Sequence, residues 1–245
     1  MPHPFEIRED ITVEATPDQV WEAIATGPGI SSWFLGRTEV EPAEGGRVRI
    51  EMPDWSSEAT VTAWKPGRHF AYREDENPDG TFMALEYHVE GNGSSTVVRF
   101  VHSGFLGDDW EDEYDALTQG DRMYLEKLGV YLKHFAGRTA TFTLFETREN
   151  IPRERAWNAL RTVTGLGETV SVGDKARITV DGLAPAEGVI DFARLPHWVG
   201  VTTDDGFYAF MHAQDSVVIE YSGFGDVDGP AIERAWQSWL TTTFA

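Results

Sequence analysis

His102 is the residue of this sequence whose side chain could take part in the most kinds of chemistry. It lies in the stretch "TVVRFVHSG" at 96–104, where alternation along a strand puts Val98, Phe100 and His102 on one face. Because histidine titrates close to neutral pH, an imidazole on an enclosed face can bind a ligand or act as a general base. A core histidine that is hydrogen-bonded to a backbone carbonyl or a tyrosine would explain the same position, and both interpretations stay open.

Aromatic side chains form a second group that could contact a ligand. The group comprises Trp33, Trp55, Trp64, Phe70 and Tyr72. Such residues can build a cage around an apolar molecule, but they are also ordinary core residues. The pattern therefore indicates an aromatic interior, and both a ligand-binding role and a packing role for these residues stay open.

Other kinds of site are not predicted. The chain has no cysteine, and its seven histidines include no pair with H-x-x-x-H spacing, so we expect no metal site. There is no G-x-S-x-G motif and no phosphate-binding loop, and no cofactor is implied. Ser103 follows His102 directly, so their side chains point to opposite faces of a strand and cannot form a nucleophile and its base.

The excess of acidic residues disfavours some classes of binding partner. Lys and Arg number 20 against 41 Asp and Glu, which gives a net charge of −21. Such a surface repels nucleic-acid phosphates and anionic lipids, so we expect neither nucleic acid nor a membrane as partner. No apolar run approaches the roughly 18 residues of a membrane span. The start, "MPHPFEIRED", lacks the regions of a signal peptide, so we expect a cytoplasmic protein.

The elements that must position these residues occur twice. The stretch "TPDQVWEAI" at 16–24 resembles "IPRERAWNAL" at 151–160, with Trp21 and Trp157 in matching places. Further matches follow in the same order and are listed here: "GRVRI" at 46–50 with "GDKARI" at 173–178, "ATVTAWKPGRHF" at 59–70 with "EGVIDFARLPHW" at 187–198, "HSGF" at 102–105 with "YSGF" at 221–224, and "LEKLGVYL" at 125–132 with "ERAWQSWL" at 233–240. Matches that keep one order predict tandem copies of a domain.

The pattern of each copy predicts a strand, a helix, several short strands and a closing helix. Thr16 is a good N-cap for the first helix, and Pro17 suits its first turn. The closing helix of the first copy is predicted over about 109–135 from its apolar spacing. Gly137 can end that helix, so we predict domains at residues 1–137 and 138–245.

This order and several motifs resemble the START-like superfamily, also called SRPBCC, which has the helix-grip fold. The branch with the strongest resemblance is named after the activator of the heat-shock-protein-90 ATPase. The motifs that carry the resemblance are "ITVEATPDQVWEAI" at 11–24, "ISSWFLG" at 30–36, "EGGRVRIEM" at 44–52, "VTAWKPGRHFAYR" at 61–73 and "STVVRFVHSGF" at 95–105. The second copy departs from the family where "TVTGLGETV" at 162–170 replaces the aromatic "SSWF" helix.

The resemblance implies an α+β protein of two tandem helix-grip domains, each a curved antiparallel sheet wrapped around a long C-terminal helix. It also implies a cavity between sheet and helix that holds an apolar ligand or substrate. On this pattern we expect ten residues of the first copy to contact the ligand: Trp33, Phe34, Trp64, Phe70, Tyr72, Tyr87, Phe100, His102, Tyr124 and Leu128. If the domain is an enzyme, His102 and Tyr72 are the acid–base candidates.

Three functions remain open at this point. The first is binding of an apolar or aromatic small molecule in the first domain, with the second domain as a structural partner. The second is a cyclase, aromatase or hydrolase activity of the kind found among polyketide cyclases of the superfamily. The third is a co-chaperone or stress-related interaction with another protein, and a homodimer is also compatible with the pattern.

Overall fold

The predicted order of strand, helix, strands and long helix is present twice. The structure is a computed structural model that describes residues 1–34, 36–52 and 55–245. The chain divides into two units, Met1–Thr139 and Ala140–Ala245. Each unit holds one antiparallel sheet with helices, which confirms an α+β chain of two tandem helix-grip domains.

The first unit contains a seven-stranded sheet with strand order β1-β7-β6-β5-β4-β3-β2. Its elements are β1 (His3–Val13), α1 (Pro17–Ala25), α2 (Gly27–Ser31), β2 (Arg37–Val40), β3 (Arg47–Met52), β4 (Trp55–Lys65), β5 (His69–Glu74), β6 (Phe82–Asn92), β7 (Ser95–Leu106) and α3 (Trp110–His134). Strands adjacent in this order pair antiparallel.

The predicted N-cap of α1 is confirmed. The Thr16 hydroxyl accepts a hydrogen bond from the Gln19 amide, and the Gln19 side chain accepts one from the Thr16 amide. This reciprocal pair satisfies two backbone donors that the first turn of a helix would otherwise leave free. It fixes the residue at which α1 begins after the end of β1.

The long helix α3 spans nearly the residues predicted for it. Its first turn carries Glu111, Asp112 and Glu113, and its last turn carries Lys133 and His134, so both ends complement the helix dipole. The face toward the sheet contains buried residues at helical spacing, among them Leu125, Leu128 and Leu132.

The second unit repeats this plan with one strand fewer. Its strand order is β8-β13-β12-β11-β10-β9. The elements are β8 (Phe142–Arg148), α4 (Arg153–Thr164), β9 (Lys175–Ile178), β10 (Ala186–Arg194), β11 (Trp198–Thr202), β12 (Gly206–Ala213), β13 (Ser216–Gly223) and α5 (Gly229–Thr243). Residues 165–174, where the sequence lacks the aromatic helix motif, form no helix or strand.

Strand register supports the match between the two copies. His102 pairs with Ile7 on one side and Leu85 on the other, and its counterpart Tyr221 pairs with Leu144 and Tyr208. The pairings β4–β5 and β10–β11 each contain a register shift, and such bulges bend a sheet. None of the described helices is both long and apolar enough to cross a lipid bilayer.

Candidate functional site: an apolar cavity in the first unit

A cavity of about 240 Å³ lies between the first sheet and α3. Strands β3 to β7 form its curved wall, and Ala116, Gly120 and Tyr124 of α3 face it from the other side. The residues at this part of α3 include small ones, so helix and sheet do not fill the space between them. Because most of the lining side chains are apolar, the cavity suits an apolar ligand.

Seven of the ten residues predicted to contact a ligand line this cavity. They are Trp33, Phe34, Tyr72, Tyr87, Phe100, His102 and Tyr124. The wall also includes Met83 and Leu85 of β6, as well as Trp55, which is half exposed. The structure therefore brings most of the predicted set together at one place, on both sides of the space between sheet and helix.

The other three predicted residues lie outside the cavity lining. The ring centroid of Trp21 on α1 lies 5.1 Å from that of Trp64 and 6.4 Å from that of Phe70. Because α1 covers this end of the sheet, Phe70 is fully buried in the core, and Trp64 is partly buried beside Trp21. Leu128 is fully buried on α3, one turn beyond Tyr124. Trp64, Phe70 and Leu128 lie on the inward faces of their strands or helix, as expected. They lie outside the cavity because of their positions along those elements.

The strongest polar feature of the wall is a contact within hydrogen-bond distance between His102 on β7 and Asp121 on α3. His102 Nδ1 lies 3.0 Å and 3.2 Å from the two carboxylate oxygens of Asp121. Their side chains are only 6% and 12% exposed, so water screens the interaction weakly. In the tautomer with the proton on Nδ1, the ring donates a hydrogen bond to the carboxylate, and this bond fixes the orientation of the imidazole.

The other ring nitrogen of His102, Nε2, does not contact Asp121. Nε2 is buried and has no hydrogen-bond partner among the described residues. The ring packs edge-on against Phe5, with 5.2 Å between centroids. A histidine oriented by a carboxylate through Nδ1 presents Nε2 as the atom that can accept or return a proton. The pair thus has the arrangement of a general base and the residue that orients it.

Two tyrosines form a second polar feature of the wall. The hydroxyl groups of Tyr72 and Tyr87 are hydrogen-bonded to each other, and both residues are buried. Burial raises the pKa of Tyr72 above its ordinary range, and the charges of Glu74 and Asp121 raise it further. Burial also raises the pKa of Tyr87, with smaller contributions from Tyr72 and Asp121. Both phenols therefore keep their protons at neutral pH, so Tyr72 can donate a hydrogen bond but cannot serve as a base.

Asp121 is the functional residue that the sequence analysis missed. A usable signal was present, because Asp121 falls between Leu117 and Tyr124 at the i+4 and i−3 positions of the apolar stripe. A charged side chain inside an apolar helical stripe needs a partner on the facing element. The partner here is His102, the inward titratable residue of β7.

The second unit has larger side chains at the places that match the cavity wall. Tyr221 stands where the first unit has His102, and Tyr208 stands where it has Leu85. Trp236, which the sequence match aligns with Leu128 next to the cavity wall, is fully buried against Tyr208 and Phe210, with ring centroids 5.9 Å and 5.7 Å away. These rings fill the space between α5 and its sheet.

The first unit also matches a family model. Residues 14–133 match the model described as Activator of Hsp90 ATPase homolog 1-like protein, abbreviated AHSA1. The first unit is therefore similar to this family. The AHSA1-like match confirms the resemblance stated from the sequence, and it covers every element from α1 to the last turn of α3. No functionally curated protein matches the chain.

Several solved structures are similar to the AHSA1-like unit or to both units. The di-domain ARO/CYC BexL from the BE-7585A biosynthetic pathway is 17% identical, with a TM-score of 0.47 over 98% of this chain and 94% of that chain. DynU16, from the dynemicin biosynthetic locus, is 15% identical, with a TM-score of 0.47 over 97% of this chain and 95% of that chain. The Aha1 dimer from Colwellia psychrerythraea is 20% identical, with a TM-score of 0.46 over 52% of this chain and 96% of that chain. Likeness at this level says nothing about activity.

Proposed function

We propose that the AHSA1-like unit binds an apolar or aromatic small molecule in its cavity, and that the second unit is a structural partner without a ligand. The observation that carries this proposal is the mostly apolar space of about 240 Å³ between the sheet and α3. An apolar cavity of roughly 150 Å³ is enough to bind benzene. The larger space here suits a molecule of one or two aromatic rings.

The polar groups of the wall define what else the ligand carries. The Tyr72–Tyr87 hydroxyls and the His102–Asp121 pair are the buried polar groups that line the cavity from β5, β6, β7 and α3. A few polar groups in an apolar pocket fix the orientation of a ligand and give specificity. We therefore expect a preference for an aromatic ring that carries a hydroxyl or carbonyl group over the same ring without one.

A titration of the full chain with 2-naphthol and naphthalene tests this proposal. We expect 1:1 binding of 2-naphthol with an affinity at least tenfold above that of naphthalene, because only 2-naphthol can form hydrogen bonds with the wall. Isothermal titration gives the affinities, and amide chemical shifts give the location. Shifts should concentrate on residues around the cavity, in β5 to β7 and α3. Absence of binding by both compounds, or shifts confined to another part of the chain, would refute the proposal.

A second function, proton transfer on a carbonyl substrate, is favoured by the His102–Asp121 geometry. In this mechanism His102 Nε2 removes a proton next to a carbonyl group, Asp121 stabilises the imidazolium that forms, and a neutral tyrosine donates a hydrogen bond to the carbonyl oxygen. Such steps belong to the cyclase-like alternative. The interaction alternative, including a homodimer, stays a prediction.

Deuterium exchange separates proton transfer from simple binding. We expect the full chain to accelerate exchange of the acidic C–H of 1-phenylbutane-1,3-dione in deuterated water, measured by NMR. Asp121→Asn keeps the shape of the side chain but removes the charge that stabilises the imidazolium, so the acceleration should fall by about 100-fold. Exchange at the rate of the solvent alone, with the diketone bound, would reject the enzyme and leave the binding function intact.

A further inference from the structure

Three side chains with metal-ligand chemistry meet on the outer face of the first sheet. His69 begins β5 and pairs directly with His88 on β6, so their side chains are neighbours on one face. Glu86 lies two residues before His88 and therefore on the same face. No spacing rule predicts this cluster, because the register between β5 and β6 brings the histidines together.

The nitrogen atoms of the cluster converge on one carboxylate oxygen. His69 Nε2 and His88 Nε2 lie 2.8 Å and 2.6 Å from Glu86 Oε1. The two imidazole rings are stacked, with 4.2 Å between centroids and 12° between planes. One ligand atom from each residue lies within 4.8 Å of those from the other two. The three groups thus already surround one point.

An ion pair between Glu86 and a histidine describes this cluster incompletely. His69 Nε2 is buried and, despite its short distance from Glu86, makes no hydrogen bond of acceptable geometry. A buried nitrogen that lies this close to a carboxylate oxygen without bonding to it is a candidate ligand for a cation at this point.

The donor set and its access fit a divalent transition metal. Two neutral imidazoles and one carboxylate are ligands of Zn²⁺, Ni²⁺ and Cu²⁺, and three protein ligands leave at least one position for water. Ligand atoms on a tetrahedral zinc lie roughly 3.3 Å apart, so small side-chain rotations from the present distances suffice. The side chains of His69, Glu86 and His88 are 18%, 38% and 36% exposed, so the cluster is partly open to solvent, and the buried His69 Nε2 reaches an ion by rotation of its ring.

The charges around the cluster do not prevent this binding. Lys65 faces His69 across β4–β5, and Arg99 faces His88 across β6–β7. Arg99 is paired with Asp10 and Glu90, and Arg8, near Glu86, is paired with Glu6. These carboxylates offset the nearby positive charge, and the net charge of −21 attracts cations.

We propose that His69, Glu86 and His88 form a binding site for one zinc-type divalent cation, which would fasten β5 to β6 on the outer face of the sheet. This site is independent of the cavity, because Phe70 and Tyr87, the neighbours of the two histidines in sequence, point to the opposite face. Its bound metal would keep an open position for water or a further ligand.

Calorimetric titration of the EDTA-dialysed full chain with Zn²⁺ alone tests the site. We expect saturable binding with a stoichiometry of one. His69→Asn and His88→Asn should each weaken binding at least tenfold, because each removes one of three ligands. His134→Asn is the matched control, since it changes an exposed histidine of the same unit outside the cluster. Its affinity should stay within twofold of the unchanged chain.

Substitution with Co²⁺ gives a second readout on the unaltered protein, so the test does not depend on how the variants fold. Nitrogen ligation should give visible absorption bands, and paramagnetic broadening should concentrate on amides of β5 and β6. Two results would overturn the proposal. One is no binding, or only weak binding of several ions to the acidic surface. The other is binding that His88→Asn leaves unchanged or that His134→Asn weakens equally.

Discussion

Gly120→Phe should reduce the affinity of the chain for 2-naphthol by at least 100-fold while leaving the first unit folded. Gly120 lies on α3 at the cavity wall, and a Cβ atom added there would meet no other atom within 4 Å. The phenyl ring can therefore occupy the space that the ligand requires. In effect the substitution gives the first unit a filled interior, as the large side chains of the second unit do.

The expected stability change makes this result easy to interpret. Glycine within a helix costs about 1 kcal/mol relative to better helix formers, and burial of an aromatic side chain contributes about 2 kcal/mol. Gly120→Phe should thus raise the midpoint of thermal unfolding of the first unit. Lost binding in a protein that has become more stable cannot be explained by unfolding.

Gly129→Phe is the matched control for the Gly120 variant. Gly129 lies on the same helix, and a Cβ there would also meet nothing within 4 Å, but the residue is not part of the cavity wall. Calorimetric titration should give unchanged affinity for this variant within twofold. If Gly120→Phe bound 2-naphthol as tightly as Gly129→Phe does, the ligand would have to bind elsewhere on the chain.

The fold could be predicted from the sequence because its signals are local and occur twice. The cap at Thr16 and the apolar stripe of α3 each depend on residues within a few positions of one another. The repetition of one order of motifs then predicted two similar domains. The resemblance to the superfamily added the curvature of the sheet, which no local pattern contains.

The candidate site could be predicted only in part, because its extent depends on packing between distant elements. Alternation correctly placed Phe70 and Tyr72 on the inward face of β5, but only the position of Trp21 on α1 shows that Phe70 is covered. The partner of His102 required the rotation of α3 relative to β7. The His69–His88 pair required the register of β5 and β6, which the sequence does not specify.

The difference between the two units leads to the second large effect, which concerns Trp236. We expect Trp236→Ala to destabilise the second unit by about 4 kcal/mol, since it removes a fully buried indole ring and leaves a void. The ring is surrounded by Tyr208, Phe210 and Trp239, with centroid distances of 5.9 Å, 5.7 Å and 5.5 Å. Chemical denaturation, followed through the amide signals of β12, measures the change.

The same variant should bind a small aromatic molecule where the indole was. Adding indole should restore part of the lost stability, because a ligand that binds only the folded state stabilises it. Trp239→Ala is the control, since this ring is only partly buried on the same helix, and it should cost less and gain nothing from indole. Equal costs for the two variants would show that Trp236 does not fill the interior. A large cost with indole rescue would instead show that the indole ring of Trp236 fills a ligand-sized space between α5 and its sheet.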